Sequence, residues 1–310
     1  MPIFGAELSE VAPKDPVSLA VVDDQYIVAF GLNSTTSGLM PNGSFSIMDA
    51  ATETARAFTG LNTSTTAPRS VPASAAVGAN GYAWGSRSEG QTVYKVDPVT
   101  GGVTTITPGG AFGSNGSVRV AAAGGYVVLL SSAGGTNGAR TINVSTNATA
   151  QYTITGHTNT SGIASDGTYV YFYGTVSSVA GLYRFDPTTG TATAVGGGGA
   201  GTGSGQGCYV GGSIWMANST GLVEFDPTGV AAAVAYTHTG VTGGNYASLV
   251  TLTAHTDGWI YGYGDSDYLI GFNPATGTFG KEALSPTRGR RFNVVSCDGK
   301  LWVPSGEPLT

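Results

Sequence analysis

A short phrase recurs along this chain and leaves few folds open to it. Its fullest form is Leu182-Tyr183-Arg184-Phe185-Asp186-Pro187-Thr188-Thr189-Gly190. Tyr94-Lys95-Val96-Asp97-Pro98-Val99-Thr100-Gly101 is a second copy, and Val223-Glu224-Phe225-Asp226-Pro227-Thr228-Gly229 is a shortened one. Ile270 to Gly277 carries Asn273 in place of the aspartate. Each copy sets an alternating apolar strand ahead of a turn. Proline presets φ at the first corner, the Asp or Asn side chain can accept hydrogen bonds from the turn backbone, and glycine takes the left-handed residue that closes it. A hairpin signal that recurs is also a repeat signal.

A second marker supplies the other half of the repeat: a strand of small apolar residues, a tight turn and an aromatic strand. Ala75 to Trp84, turning at Asn80-Gly81, and Val294 to Trp302, turning at Asp298-Gly299, show it most clearly. The series runs through Asp24, Gly81, Gly125, Gly167, Gly212, Gly258 and Gly299, with intervals of 57, 44, 42, 45, 46 and 41 residues. That period matches a propeller blade of four strands. Each unit reads as strand a, glycine turn, strand b, loop, strand c, Asp-Pro turn, strand d. Strand a is small because the inner strands crowd the axis. Strand b carries the bulky Trp84, Tyr171, Trp215, Tyr261 and Trp302. Asn143 to Asn147 is a degenerate second turn, and Met48 to Thr52 a poorer one whose segment, through Ala57, has a short helix as its alternative. Leu61 to Pro72 is an insertion that accounts for the long first interval.

The seventh unit stops soon after Trp302, whereas Ile3 to Leu8 has no role in the first. The expected fold is therefore all-β: a seven-bladed β-propeller of four-stranded antiparallel blades, closed by the N-terminal strand joining the C-terminal blade. It forms a single domain over residues 1–310. Closure removes the open sheet edges that a linear array would present.

These repeats resemble those of the seven-bladed β-propellers of the YVTN and streptogramin-lyase-like kind, which use the same Asp-Pro-x-Thr-Gly hairpins. The resemblance covers nearly all of the chain and implies the propeller fold. For the lyase-like members it also implies a histidine-based site with a metal. The motif specifies a turn, however, and no position here matches the lyase residues, so that activity is not carried over. The Gly-, Thr- and Ala-rich, charge-poor style also resembles tail and other virion proteins of bacteriophages.

Charge narrows the partners. Thirteen basic and nineteen acidic residues leave a formal charge of −6, and only 10% of residues are charged, well below the usual quarter. General nucleic-acid binding needs a dense positive surface and is excluded. Val118 to Leu130, the most apolar run, contains Arg119 and is too short to span a bilayer. The N-terminus lacks the basic start and apolar run of a signal peptide. Cys208 and Cys297 fall in non-adjacent repeats and are expected to stay reduced.

Candidate chemistry is sparse. His157 and His238 fall in or near connections leading into a strand a, and read as solvated loop residues. His255 reads as a hydrogen-bonded core residue. Asp265-Ser266-Asp267 lacks the glycine and distal glutamate of a calcium loop, and Gly196 to Gly207 lacks the ending of a phosphate loop and reads as a flexible connection. Arg288, Arg290 and Arg291 form the one basic cluster, suited either to an acidic partner or to nearby carboxylates. The loops leading into each strand a vary most between repeats, and variable loops on a rigid scaffold usually carry binding residues. Phe112, Asn115, His157, His238, Tyr246, Arg288 and Arg290 are therefore the expected contacts, with no catalytic set, no metal and no cofactor.

The expected function is a non-enzymatic structural and interaction module of a phage virion, of the minor tail or fibre type. Its partners would be neighbouring virion proteins in a larger assembly and a host-surface glycan, with no nucleic acid and no membrane insertion. The alternatives are a streptogramin-lyase-like propeller enzyme and a secreted lectin-like propeller.

Overall fold

In the computed structural model the recurring phrase forms a turn capped by its Asp or Asn at every copy, one residue shorter at Asp226, where Gly229 N–H returns to the Asp226 carbonyl. The Asp186 carboxylate accepts the Thr188 N–H at 2.8 Å and the Thr188 hydroxyl at 2.6 Å, while Gly190 N–H returns to the Asp186 carbonyl at 2.8 Å. Asp97, Asp226 and Asn273 accept in the same way from Val99, Thr228 and Ala275 N–H. Gly101, Gly229 and Gly277 close those turns with φ of 76°, 76° and 67°. The Thr228 hydroxyl, then the Ala231 and Thr228 N–H groups, hold the Asp226 carboxyl down to about 2. In the degenerate copy Asn143 accepts from Ser145 and Thr146 N–H, and Asn147 takes the glycine's place at φ 59°. In the poorest, Asp49 accepts from Ala51 and Thr52 N–H and Glu53 takes it at φ 56°. The helical alternative for Met48 to Ala57 is thereby corrected: the Asp49 cap makes it strand, turn and strand.

The structure describes residues 3–4, 16–31, 44–59, 61, 76–86, 92–109, 118–131, 138–196, 204–218, 220–238, 251–263, 268–283 and 294–302. A short strand β1 (Ile3–Phe4) comes first. The first blade is β2 to β5 (Pro16–Val22, Tyr26–Gly31, Ser44–Asp49, Thr54–Thr59), and the second is β6 to β9 (Ala76–Ala79, Tyr82–Ser86, Val93–Val96, Val103–Ile106). The third is β10 to β13 (Val118–Ala123, Tyr126–Ser131, Gly138–Asn143, Thr149–Thr153) and the fourth β14 to β17 (His157–Ser165, Val170–Val176, Val179–Asp186, Thr191–Gly196). The fifth is β18 to β21 (Ser204–Val210, Ser213–Ala217, Gly221–Phe225, Val234–Thr237) and the sixth β22 to β25 (Leu252–Ala254, Ile260–Tyr263, Tyr268–Asn273, Thr278–Ala283). The closing group is β26 (Val295–Cys297) and β27 (Lys300–Trp302), with β1 beside β27. Within every four-stranded blade, neighbours are antiparallel.

The first strands of the blades touch in a closed cycle: β2, β6, β10, β14, β18, β22, β26 and back to β2. Their residues are small, and at the fourth and fifth blades the approach is close enough for hydrogen bonding. There β14 and β18 pair in parallel at Gly162–Gly205 and Ile163–Gln206, and Gln206 bridges to Thr251 of the sixth blade. The second strands carry the large rings. Trp84, Trp215 and Trp302 are fully buried, and each indole N–H reaches the carbonyl five residues back, at Ala79, Val210 and Cys297. Where tyrosine takes the place, Tyr171 and Tyr261 hydroxyls donate to Asp166 and Asp257 in the turn. Each polar handle of a buried ring is thus satisfied.

Seven apolar clusters fill the seven junctions between successive groups. One of them joins the chain's two ends, packing Leu19, Ile27 and Met48 against Val295, Cys297 and Trp302. Around it, Asp298 N–H donates to Asp24, and Lys300 meets Glu53 at 2.7 Å. The expected participation of the N-terminal strand is seen directly: Ile3 pairs with Lys300 and Phe4 with Leu301, in parallel. The insertion beyond Leu61 lies outside the described residues. Of Gly196 to Gly207, residues 204–207 belong to β18, which corrects their reading as connection. Both cysteines are free thiols in different clusters, and burial pushes both up to about 12.

Two outcomes test this construction. Gly125 and Gly190 both hold left-handed backbone, but a Cβ on Gly125 meets nothing within 4 Å, whereas one on Gly190 would lie 1.9 Å from the Tyr152 ring of the preceding blade. In urea unfolding, Gly125→Ala should cost about 1 kcal/mol from backbone strain. Gly190→Ala should cost about 1–3 kcal/mol more, because the ring must move. Equal costs would show that the ring does not hold the blades together. Removing residues 1–9 strips β1 from β27 and should lower the melting temperature. An unchanged value would show that the pairing contributes nothing.

Candidate functional site

Irregular pairing falls at one end of the blades. Register shifts occur at Pro16/Ser18 in β2, His157/Asn159 and Thr160/Gly162 in β14, Leu182/Tyr183 in β16 and Ser204/Cys208 in β18. All lie toward the face where an outer strand leads into the next inner strand. Among the described residues, the Asp-Pro turn face has none. Bulges re-aim side chains and gather beside functional sites, so this irregular face is the candidate working face.

On that face the fourth blade is described throughout. Its second and third strands are joined by only Ser177 and Ser178, at φ 50° and 66°. The resulting hairpin rises on the candidate face with Val179 62% exposed beside its tip. The connection entering the blade is Ile154 to Gly156, held under the tip by the Ser177 N–H to Gly156 carbonyl bond. β14 then contains two extra residues relative to β15, Thr158 and Ser161. Their hydroxyls donate to the Thr175 and Tyr173 carbonyls of that neighbour, at 3.4 and 3.2 Å. The first extra residue leaves two consecutive side chains, Thr158 and Asn159, exposed.

Beneath them sits His157. It was expected to be a solvated loop residue and a partner contact, and the structure corrects both. It is 1% exposed at the start of β14, Nε2 shares a hydrogen bond with Thr160 Oγ1 at 2.9 Å, and its ring stands edge-on to Phe172. Burial lowers its pKa, against a smaller upward effect of the Asn159 backbone. Arg119 lies on the face of β10 that turns Ala121 and Ala123 toward the fourth blade. Burial pushes its guanidinium down to about 10, so it remains a cation at neutral pH.

Of the other expected contacts, His238 is half-buried after β21, its ring edge-on to Phe279 of the next blade. Phe112, Asn115, Tyr246, Arg288 and Arg290 lie outside the described residues, as do Asp265 to Asp267. The two that are described, His157 and His238, belong to different blades, the fourth and the fifth. His255 is buried as expected and shares a 2.8 Å hydrogen bond with Ser296 near the opposite face. No three His, Cys, Asp or Glu side chains converge on a metal position among the described residues. With His157 tied to Thr160 and His255 to Ser296, that set does not fit a histidine-based metal centre, and no chemical step is derived through one. What sequence reasoning missed is Thr158 to Ser161. The available signal was spacing: ten residues separate His157 from Gly167, too many for a regular inner strand of this repeat.

No family model and no curated protein matches the chain. Among solved structures, 1038 chains match, so the architecture by itself names no activity. Selenomethionine-substituted virginiamycin B lyase from Staphylococcus aureus superposes with a TM-score of 0.66 at 10% identity, covering 94% of this chain and 92% of the other. The catalytically inactive histidine-to-alanine variant of that lyase, with quinupristin, gives 0.67 at 9% identity over 96% and 94%. These likenesses show a β-propeller fold. They count against the expectation of a non-enzymatic module, since the two structures matched over nearly the whole chain are forms of an enzyme. The phage-tail likeness gains no support from them.

Burial makes the His157 imidazolium costlier in the folded chain than in the unfolded one. The unfolded state therefore binds more protons between the depressed folded pKa and the ordinary value near 6.5. Stability should be fully present above about pH 6.5 and fall as the pH drops through that window. Melting curves from pH 8 to pH 5 should show the fall in the wild type and a flatter profile in His157→Gln. Parallel profiles would show that His157 is not the group responsible.

Proposed function

We propose that this chain is a propeller enzyme of the lyase kind, working on a ligand held at the irregular face. The observation that carries this is the match over 94% of the chain to a lyase propeller, with a TM-score of 0.66. The placement of the bulges supports the choice of face, because every register shift in the first, fourth and fifth blades lies toward it and, among the described residues, none lies at the capped turns. A lyase breaks a bond by elimination, so it needs a base in hydrogen-bond reach of the proton removed. On this face His157 is committed to Thr160, and His238 is the more exposed imidazole.

Quinupristin, present in one of the similar structures, is the first substrate to try, with other streptogramins beside it. Purified protein should convert at least one of them in a time- and enzyme-dependent way. Chromatography with mass spectrometry should show either a ring-opened isomer of unchanged mass or fragments whose masses sum to that of the substrate, as elimination requires. Products heavier by one water would mean hydrolysis and would overturn the lyase assignment. No conversion of any streptogramin at micromolar enzyme would remove this substrate class.

A further inference from the structure

We infer that the inner edge of the fourth blade is a ligand-contact surface on which Asn159 recognises amide groups of an uncharged, peptide-like molecule. This rests on the lyase reading for the location of the site, and adds to it a specificity residue and a ligand class.

Three observations carry it. The first is rigidity. Thr158 and Ser161 are each pinned by a hydroxyl to β15, and the buried His157–Thr160 pair braces the bulge from within. Asn159, between these anchors, is exposed. A side chain presented by a braced bulge loses little freedom on binding, which favours recognition. The second is position. β14 pairs in parallel with β18, so the candidate-face ends of the two strands lie side by side, and β18 carries its own register shift between Ser204 and Cys208. Three of the five irregularities thus meet at one junction near the axis, where the blades converge. The third is chemistry. Residues 154–161 and 174–181, the candidate-face ends of β14 to β16, contain no Asp, Glu, Lys or Arg. What they offer is hydroxyls and one exposed carboxamide, flanked by Val179 at the hairpin tip. A carboxamide donates and accepts together, matching a peptide group, and a wall with no charged side chain of its own gives little reward to phosphate or carboxylate, the nearby Arg119 being largely buried.

The test compares wild type with Asn159→Ala and Asn159→Gln. The side chain is exposed, so melting temperatures should be unchanged. On a streptogramin that the wild type converts, Asn159→Ala should raise KM roughly tenfold with little change in kcat, the effect of losing a pair of hydrogen bonds to the ligand. Asn159→Gln should recover part of the loss. Conversion with an unchanged KM would overturn this inference and leave the lyase reading standing. If the wild type converts no streptogramin, that reading fails separately, and the surface is then read by saturation-transfer NMR with a panel of uncharged cyclic peptides and neutral oligosaccharides. Peptide signals that vanish in Asn159→Ala sustain the inference. Signals from oligosaccharides alone, peptide signals indifferent to Asn159, or no signals at all overturn it.

Discussion

The rest of the molecule hangs on the turn capped by an aspartate or asparagine between the third and fourth strands of a blade. The carboxylate or carboxamide satisfies N–H groups that would otherwise face each other across the corner, and the closing residue's left-handed backbone returns the chain antiparallel. The residue that closes the turn, the fifth in most copies and the fourth at Gly229, is where the preceding blade rests. The Phe58 ring lies on Gly101, Tyr152 on Gly190 and Tyr236 near Gly277, while the Val195 carbonyl crowds Gly229. A side chain there would strain the backbone and, at Gly101, Gly190 and Gly229, would also push the neighbouring blade away. Arg56 strengthens one such contact by donating to the Pro98 and Val99 carbonyls of the next blade's turn. One local motif therefore sets both the shape of a blade and its distance from the last.

Closing the cycle solves a separate problem. Each blade has one face against its predecessor and one against its successor, so an open row would leave two apolar faces in water. The Leu19, Met48, Val295 and Trp302 cluster removes both at once. The Lys300–Glu53 pair at its margin is partly exposed and adds little compared with the buried rings. Its Glu53 occupies the left-handed position that glycine holds in other blades, so the weakest turn of the series is the one supported by a charge from across the seam.

The fold was legible because its two determinants are local and repeated. Asp186-Pro187 and Asn80-Gly81 each announce a turn, and their spacing announces a blade. Even Asn143 to Asn147 remained readable once the asparagine at either end was seen to replace aspartate and glycine. The site was far less legible, for a physical reason. His157 looks like a loop residue because it follows Gly156 and precedes Thr158-Asn159-Thr160, a polar run. Only the hydrogen bond to Thr160 and the Phe172 ring make it a core residue, and both depend on partners that approach through the bulge. The expectation of a structural protein had an equally thin basis. It rested on finding no motif for catalysis, whereas a propeller gathers its working residues from several blades, with no fixed spacing in sequence.

The doubled bulge in β14 has its own logic. Side chains alternate across a strand, so one extra residue inverts every side chain beyond it. Had β14 contained Thr158 alone as an extra residue, Ile163 and Ala164 would exchange faces. Ile163 packs between the third and fourth blades and Ala164 between the fourth and fifth, so the exchange would put a large side chain into a junction shaped for a methyl group and leave a cavity in the other. Ser161 restores the alternation before either is reached. The two extra residues thus confine the irregularity to Thr158 through Ser161. The strand can present Thr158 and Asn159 together at the candidate face, while the junctions below keep the packing that the repeat prescribes.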